Sequence, residues 1–404
     1  MEANPKIAAI SPWIGQTSNV WMHRQFAQLA DQLTTIFTWE SHNEDQFPLP
    51  DTDIRFVPDA FANPLRGLPR TLDSMLSPRT GGTRFGSRFD RWFTRQLVGC
   101  GAQAVLGQFG HYGMLAEVAC RKIGVPVFAH FHGHDLSARL RRKRYRTSLE
   151  SHWHDFAGKI VVATYQQNYL LEHGHEPDSV ALIPCGAPTR SIAAQADTIR
   201  SSQPIDRNVF TFLFVGRLVE KKDPLSMLRS FERCWQERPE VRLRIVGAGP
   251  LEAQCHQWVA DRSPAFANAI TFLGAMSPKN VIKEMATANA LAQHSRTASD
   301  GDMEGWPVSI AEAMAASLPI IATRHAGIVD QVGEGDNGYL CNEGDWETMA
   351  KDMTVLVSDR ELADRMSRQS LKRAMGFDSA DQIEKLRHFI NDRVAHRSQR
   401  RRAA

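Results

Sequence analysis

No two of the six cysteines in this 404-residue chain stand at C-x-x-C spacing. Cys100, Cys120, Cys185, Cys234, Cys255 and Cys341 are scattered, which excludes the usual zinc-finger and disulfide-framework patterns and reads as reduced thiols of a cytoplasmic protein. No stretch approaches the roughly 18–20 uninterrupted apolar residues of a bilayer span, so no membrane crossing is expected. The opening Met-Glu-Ala-Asn-Pro-Lys lacks a basic region followed by an apolar core, and no export signal is expected. Internal repeats and low-complexity tracts are missing as well. The net charge of +3 is mild. Its densest basic run, Arg139, Arg141, Arg142, Lys143, Arg144 and Arg146, has only Tyr145 as an interleaved aromatic, which argues against a nucleic-acid partner.

What is present is the composition of a globular protein, 42% hydrophobic with 23% charged residues, at a length that suits two α/β domains of about 150–200 residues. In the first half, short β-branched or apolar runs alternate with helical patterns, the sign of βαβ units and a parallel sheet. Strands are expected at Lys6–Ile10, Thr34–Thr38, Ala104–Leu106, Val125–Phe131 and Lys159–Ala163, with a further one at Ile54–Val57. Helices are expected at Ser18–Asp31, Ser87–Gly99, Tyr112–Ile123 and Ser137–Phe156, and an irregular excursion over Phe47–Gly86. A lapse into Ala, Gln, Ser, Asp and Pro at 191–207 has the composition of a linker. It separates a first Rossmann-like domain, 1–190, from a second, 208–375, and leaves 376–404 as a helix and basic tail packing back toward the first. In the second domain, strands at Val209–Val215, Val241–Val246, Ile270–Leu273, Ala290–Gln293 and Ile320–Thr323 alternate with helices at Pro224–Glu237, Leu251–Arg262, Pro278–Ala288 and Val308–Ala316. Asp223 and Ser277 are N-cap candidates, each followed by proline at the first helical position. Two doubly wound domains place ligand crevices at the carboxyl ends of their strands, so both are expected to face one cleft.

Five constellations lie at such ends. Gly216 and Arg217, with Lys222 just before a capped helix, could bring two cations and free amides to a diphosphate, or be ordinary solvated charges of a loop. Gly247-Ala248-Gly249-Pro250 echoes a dinucleotide fingerprint but lacks its third glycine, and reads equally as a plain strand-to-helix turn. Asp300-Gly301-Asp302-Met303-Glu304-Gly305-Trp306-Pro307 runs into the helix from Val308 that carries Glu312. Amides near Gly305–Val308 and the two carboxylates could grip the hydroxyls of a polyol, while a capped amphipathic helix is the plain alternative. The Asp300–Asp302 pair could hold a divalent ion but fits a polar loop better. His130-Phe131-His132-Gly133-His134-Asp135 ends a strand of the first half, with His132 central to sugar or acceptor contact. Gly15-Gln16-Thr17-Ser18 follows the opening strand and either touches acceptor or phosphate or caps a helix through Ser18. The basic run at 139–146 is either a solvated helix face or an adhesion surface for anionic lipid.

Taken in order, Gly216-Arg217…Lys222, Gly247-Ala248-Gly249-Pro250, Phe272-Leu273-Gly274 and Glu304-x7-Glu312 resemble the family 4 retaining glycosyltransferases of the GT-B fold. The resemblance spans the whole chain, and its specific motifs lie in the second half, above all Glu304-Gly305-Trp306-Pro307…Glu312-Ala313-Met314-Ala315. Asp-Gly-Asp-Met-Glu-Gly is similar to the colanic-acid and exopolysaccharide branch, as is His132-Gly133-x-Asp135. The resemblance implies an α/β, GT-B architecture and transfer of a hexose from a UDP- or GDP-sugar to a saccharide or lipid-linked saccharide. It implies no metal and no cofactor. Arg217 and Lys222 would neutralise the diphosphate, Glu312 would hold the ribose, and Glu304 with the Gly305–Val308 amides would grip the sugar. Gly216, Gly247, Gly249, Trp306 and Pro307 would line the donor site, and His132 the reaction centre. Gly15, Gln16, Thr17, Gly133 and Asp135 would lie on the acceptor or phosphate side. The implied location is cytoplasmic, peripheral to the inner membrane face through Arg139–Arg146. Two departures stand out: Gln293-His294-Ser295 where Pro-Ser is common, and Asp330 where Glu is common. A sugar-nucleotide epimerase of the same fold and a non-catalytic sugar-nucleotide-binding protein are the rival readings.

Overall fold

The computed structural model describes residues 4–58, 86–203 and 208–403. The chain divides into two compact units, Met1–Pro184 with Ala380–Ala404, and Cys185–Ser379. The first contains a seven-stranded parallel sheet of β1 (Ile7–Ile14), β2 (Leu33–Ser41), β3 (Asp53–Phe56), β4 (Ala104–Gln108), β5 (Val127–Phe131), β6 (Gly158–Val161) and β7 (Val180–Leu182), in the order β3-β2-β1-β4-β5-β6-β7. β4 and β5 are buried along their whole length, which is why they read as mostly apolar runs interrupted only by Gln108 and His130. The chain enters the sheet at β1, winds outward to β3, then returns to the middle at β4. That reversal opens a crevice beyond the carboxyl ends of β1 and β4.

The second unit has a six-stranded parallel sheet of β8 (Thr211–Val215), β9 (Arg242–Val246), β10 (Ile270–Gly274), β11 (Ala290–Gln293), β12 (Ile320–Thr323) and β13 (Gly338–Cys341), ordered β10-β9-β8-β11-β12-β13. The same reversal falls between β8 and β11. β8 shows how one strand feeds two cores, since alternate side chains point to opposite faces. Phe212 and Phe214 pack with Met227, Phe231, Met349 and Met353, while Leu213 and Val215 pack with Ile192, Met285, Ile310 and Met314.

Several expectations are revised. The stretch 191–207 is not an extended linker: Thr189–Ser202 is a helix of the second unit, with Ile192 and Ala196 fully buried, and 204–207 lie outside the described residues. Its alanines and serines gave it a linker's composition, yet isoleucine and alanine four apart make a narrow apolar stripe. The helix expected over Ser137–Phe156 breaks at Arg142, whose backbone is extended, into Ala138–Arg141 and Lys143–His152. Strands β7 and β13 were not expected: β7 has only three residues, and β13 opens on glycine, a residue depleted in strands. Most of the irregular Phe47–Gly86 excursion, 59–85, lies outside the described residues.

The last helix, Ser379–Ala403, is built into the first unit. It buries Ile383, Leu386 and Ile390, and its Phe389 ring meets Phe128 edge-on at 6.1 Å. Arg387 grips Asp31 at 2.7 and 2.9 Å, and Arg393 donates to the carbonyls of Ala157 and Asp178.

Candidate functional site

The donor-side motifs of the second unit lie beyond the carboxyl ends of β8, β9 and β11. Gly216 leaves β8, and the main chain that follows is stitched to its neighbours: Gly216 N donates to Val246 O at 3.0 Å, Leu218 N to Ala248 O at 3.0 Å, and Gly247 N to Gly274 O at 2.8 Å. Gly247 adopts φ 136° at this seam, and a Cβ there would stand 1.9 Å from Gly216 O; one on Gly249 would stand 2.5 Å from Leu218 O. These glycines permit backbone to meet backbone. They shape the site from behind.

A helical turn at Glu220–Lys222 then presents two lysines to the 300–304 loop. Lys222 Nζ lies 3.1 Å from Glu304 Oε1, with both side chains nearly buried, and Lys221 Nζ lies 3.0 Å from Asp302 Oδ2. Burial pushes the Lys222 ammonium below its ordinary range even though Glu304 pulls the other way. For Glu304, burial favours the neutral acid, but Lys222 and Lys221 outweigh it and hold the carboxyl below the usual range. The site therefore pairs a carboxyl held toward its charged form with a lysine whose burial works against its own. Arg217, by contrast, is exposed.

Asp223 ends the turn with φ 34°, a strained conformation for a residue with a Cβ. As expected of an N-cap, its carboxylate accepts from Ser226 N at 3.4 Å. It also faces His294 Nδ1 at 3.3 Å and Arg296 Nε at 3.6 Å, so the departing Gln293-His294-Ser295 segment helps anchor the helix behind Lys222. Ser277 likewise caps Pro278–Ala286 through Asn280 N.

Within the Asp300–Asp302 turn, Asp302 N donates to Asp300 Oδ1 at 2.9 Å, and Asp302 Oδ2 faces Lys221 Nζ. Beyond it Glu304, Gly305, Trp306 and Pro307 are buried, and Val308 and Glu312 are half-buried. Pro307 stands at the cap position and the helix begins at Val308, as expected. The Trp306 indole packs edge-on against Phe377 at 4.8 Å and is 6% exposed, so it anchors the loop from the core side. The Val308 and Ser309 amides precede the first intrahelical bond, the usual opening for an oxygen-rich ligand.

Two participants escaped the sequence reading. His325, just after β12, is buried and accepts the Glu304 main-chain N–H on Nε2 at 3.0 Å; its Nδ1 lies 2.5 Å from Glu343 Oε1, just after β13. Both occupy strand ends, the one signal that pointed to them.

In the first unit, His132 follows β5 inside an aromatic box: Trp21 at 4.2 Å, His130 at 4.4 Å and Phe109 at 4.9 Å between ring centroids. Burial drives both histidines to the neutral form, His130 to about 3 and His132 well below its ordinary value. Asp135, expected on the acceptor side, points inward instead. It is fully buried, accepts from His132 N at 2.9 Å and faces Tyr145 Oη at 3.4 Å, so it shapes the turn carrying His132. Ser137 Oγ ties the Gly133 carbonyl at 2.7 Å. At the end of β1, Gly15 takes φ 73°, and a Cβ there would lie 1.8 Å from His42 O, so the position calls for glycine. Gln16 accepts from Asn19 N, and Thr17 opens a helical turn over Thr17–Asn19; the Ser18 side chain lies outside the described residues. Arg141, Arg142, Lys143, Arg144 and Arg146 are exposed, while Arg139 is half-buried over the Tyr145 ring. Among the described residues no group of three or more His, Cys, Asp or Glu is placed to hold a metal, and no helix is long and apolar enough to cross a membrane.

Solved structures share this architecture. Anabaena HepE, crystallised with UDP, aligns over 96% of this chain and 100% of its own at TM-score 0.75 and 16% identity. Sucrose-phosphate synthase from Thermosynechococcus elongatus aligns over 99% and 98% at TM-score 0.70 and 16% identity. The two units thus define a GT-B fold of paired Rossmann-like sheets. At the level of sequence, residues 22–186 match the glycosyl transferase 4-like domain and 195–373 match glycosyl transferases group 1. The chain is thus built of a glycosyl transferase 4-like domain followed by a glycosyl transferases group 1 domain. Its relatives include the amylovoran biosynthesis glycosyltransferase AmsK of Erwinia amylovora, 29% identical over 62% of this chain. Another is the colanic acid biosynthesis glycosyltransferase WcaL of Escherichia coli, described as putative, 24% identical over 73% of this chain. The alignments span 60% and 69% of those relatives' own lengths.

Proposed function

We propose that this chain transfers a hexose from a nucleoside diphosphate sugar to a saccharide or lipid-linked saccharide in the assembly of an exopolysaccharide or glycolipid, with retention of anomeric configuration and without a metal. The observation that carries the reading is the buried Lys222–Glu304 pair, with exposed Arg217 on the same loop, at the switch point of the second sheet. Breaking a glycosyl–phosphate bond builds negative charge on the departing diphosphate, and preorganised cations stabilise that charge most where water is scarce. Lys222 and Arg217 supply it. Glu304, kept ionised, accepts hydrogen bonds from sugar hydroxyls, the Val308 and Ser309 amides complete the grip, and Glu312 takes the ribose. His132, held uncharged in its aromatic box, serves the acceptor-binding unit, and the exposed arginines after it are suited to an anionic membrane surface on the cytoplasmic side.

The relatives support the pathway, since their names place them in amylovoran and colanic acid synthesis, and HepE has been crystallised with UDP and with UDP-glucose. The test is a panel of UDP- and GDP-sugars screened by thermal shift, then by transfer onto bacterial lipid-linked saccharides. One sugar nucleotide should raise the melting temperature and support transfer. Activity should persist in EDTA; its abolition would restore Asp300 and Asp302 as metal ligands. Nucleotide release without transfer to any acceptor would favour the epimerase reading.

A further inference from the structure

The Glu304 loop is held from behind by a chain of hydrogen bonds that meets the donor-side motifs only at the Glu304 main chain. The Glu304 main-chain N–H donates to His325 Nε2 at 3.0 Å. An imidazole nitrogen that accepts carries no proton, so in the neutral ring the proton sits on Nδ1. Nδ1 faces Glu343 Oε1 at 2.5 Å, and the other oxygen of that carboxylate accepts Thr297 N–H at 2.8 Å. His325 is 1% exposed, so this tautomer is fixed by its two partners rather than by water. The Thr297 bond and the Glu343 contact extend the network to the loop after β11 and to the end of β13. The carboxylate of Glu343 is itself favoured: its partial burial is outweighed by the Thr297 amide and His325.

Resting on the donor-site reading above, we propose that His325 and Glu343 are positioning residues that fix the Glu304 backbone, and with it the sugar-gripping carboxylate, through the Nδ1–H tautomer of His325. The carboxylate determines the tautomer because it can only accept. An amide at 343 reverses the logic. In Glu343→Gln, the carbonyl oxygen must still serve the Thr297 N–H, which turns the amide NH2 toward Nδ1. The ring must then move its proton to Nε2, where an N–H confronts the Glu304 N–H and the loop loses its tether.

Two histidine replacements separate position from mere volume. Glutamine reaches as far as Nε2 and can offer an oxygen to Glu304 N–H. Asparagine reaches only as far as Nδ1 and leaves that donor unsatisfied, at a cost typical of a buried orphan, about a tenfold effect or more. His325→Asn and Glu343→Gln should each lower kcat/KM for the sugar nucleotide by about tenfold or more. His325→Gln should recover most of it. Affinity for the nucleoside diphosphate without its sugar should stay within about twofold in all three, because Lys222, Arg217 and Glu312 are untouched. Long-range proton–nitrogen NMR of the His325 ring should report Nδ1–H in the wild type and Nε2–H in Glu343→Gln. Equal kcat/KM in wild type and His325→Asn overturns the proposal, as does an Nε2–H ring in the wild type. A uniform loss of diphosphate affinity in all three variants also overturns it, since it would mark general unfolding of the site. If the wild type turns over no sugar nucleotide, the donor-site reading falls instead, while the wild-type and Glu343→Gln ring spectra still decide whether the tautomer tether exists.

Discussion

Lys222 and Glu304 lie 82 positions apart in the sequence yet share one nearly dry contact, and the chemistry of the site follows from that burial. The lysine's value is depressed by desolvation, so as pH rises the ammonium is lost earlier than in an exposed lysine. The alkaline limb of kcat/KM for the donor should therefore fall below the ordinary lysine range, and Lys222→Arg should move that limb to higher pH. Lys222→Ala should cost about 100-fold or more in kcat, the scale of losing one preorganised electrostatic contact. Glu304 carries the opposite sign: its depressed folded value contributes stability above the unfolded carboxyl's range, which is lost as pH falls through the folded value. Residue types and spacing drew attention to Glu304, Arg217 and Lys222, because charge at a strand end is visible in one dimension, whereas Glu312, inside a helix, was marked by the family resemblance. Which way a side chain turns is not. Trp306 and Asp135 sit within the right motifs and face the core, the indole against Phe377 and the carboxylate toward the His132 amide.

Most of the β strands and helices could be read from their apolar periods, because buried parallel strands and half-buried helices impose different repeats on the same side chains. The failures have their origin in composition. β13 spans Gly338–Cys341 and opens on glycine, a residue depleted in strands, and its omission hid Glu343. The Thr189–Ser202 helix hides behind alanines that bury well yet look like linker. The Gly247 seam was legible as a turn, but its reason was not: the glycine admits the Gly216 carbonyl of the next strand's loop. Gly247→Ala should destabilise the second unit by about 2 kcal/mol or more, from backbone strain together with a 1.9 Å encounter with Gly216 O. Chemical denaturation would show it as a lower midpoint at unchanged slope. Donor affinity measured well below that midpoint should fall too, since the same seam carries Arg217.

At the scale of the whole molecule, the first unit is discontinuous in sequence, because the final helix belongs to it. A chain ending at Ser379 removes the partners of Phe128, Asp31 and Ala157 and uncovers the groove that Ile383, Leu386 and Ile390 fill. Its first unit should melt at lower temperature while the second keeps its transition, which calorimetry would resolve as a split of the endotherm. Hydrogen exchange should accelerate in β5 and β6 before it does in β8 or β11.

The same discontinuity inverts the order in which the protein can be finished as it is made. The ribosome completes the first 184 residues early, but the helix they need emerges only after residue 380. At about 5–20 residues per second, that interval lasts roughly ten to forty seconds. The nascent first unit must wait through it with an apolar groove uncovered, while the second, continuous in sequence, can close as it leaves the exit tunnel. The half synthesised first is the half completed last, and its exposed groove is where a chaperone has most to do.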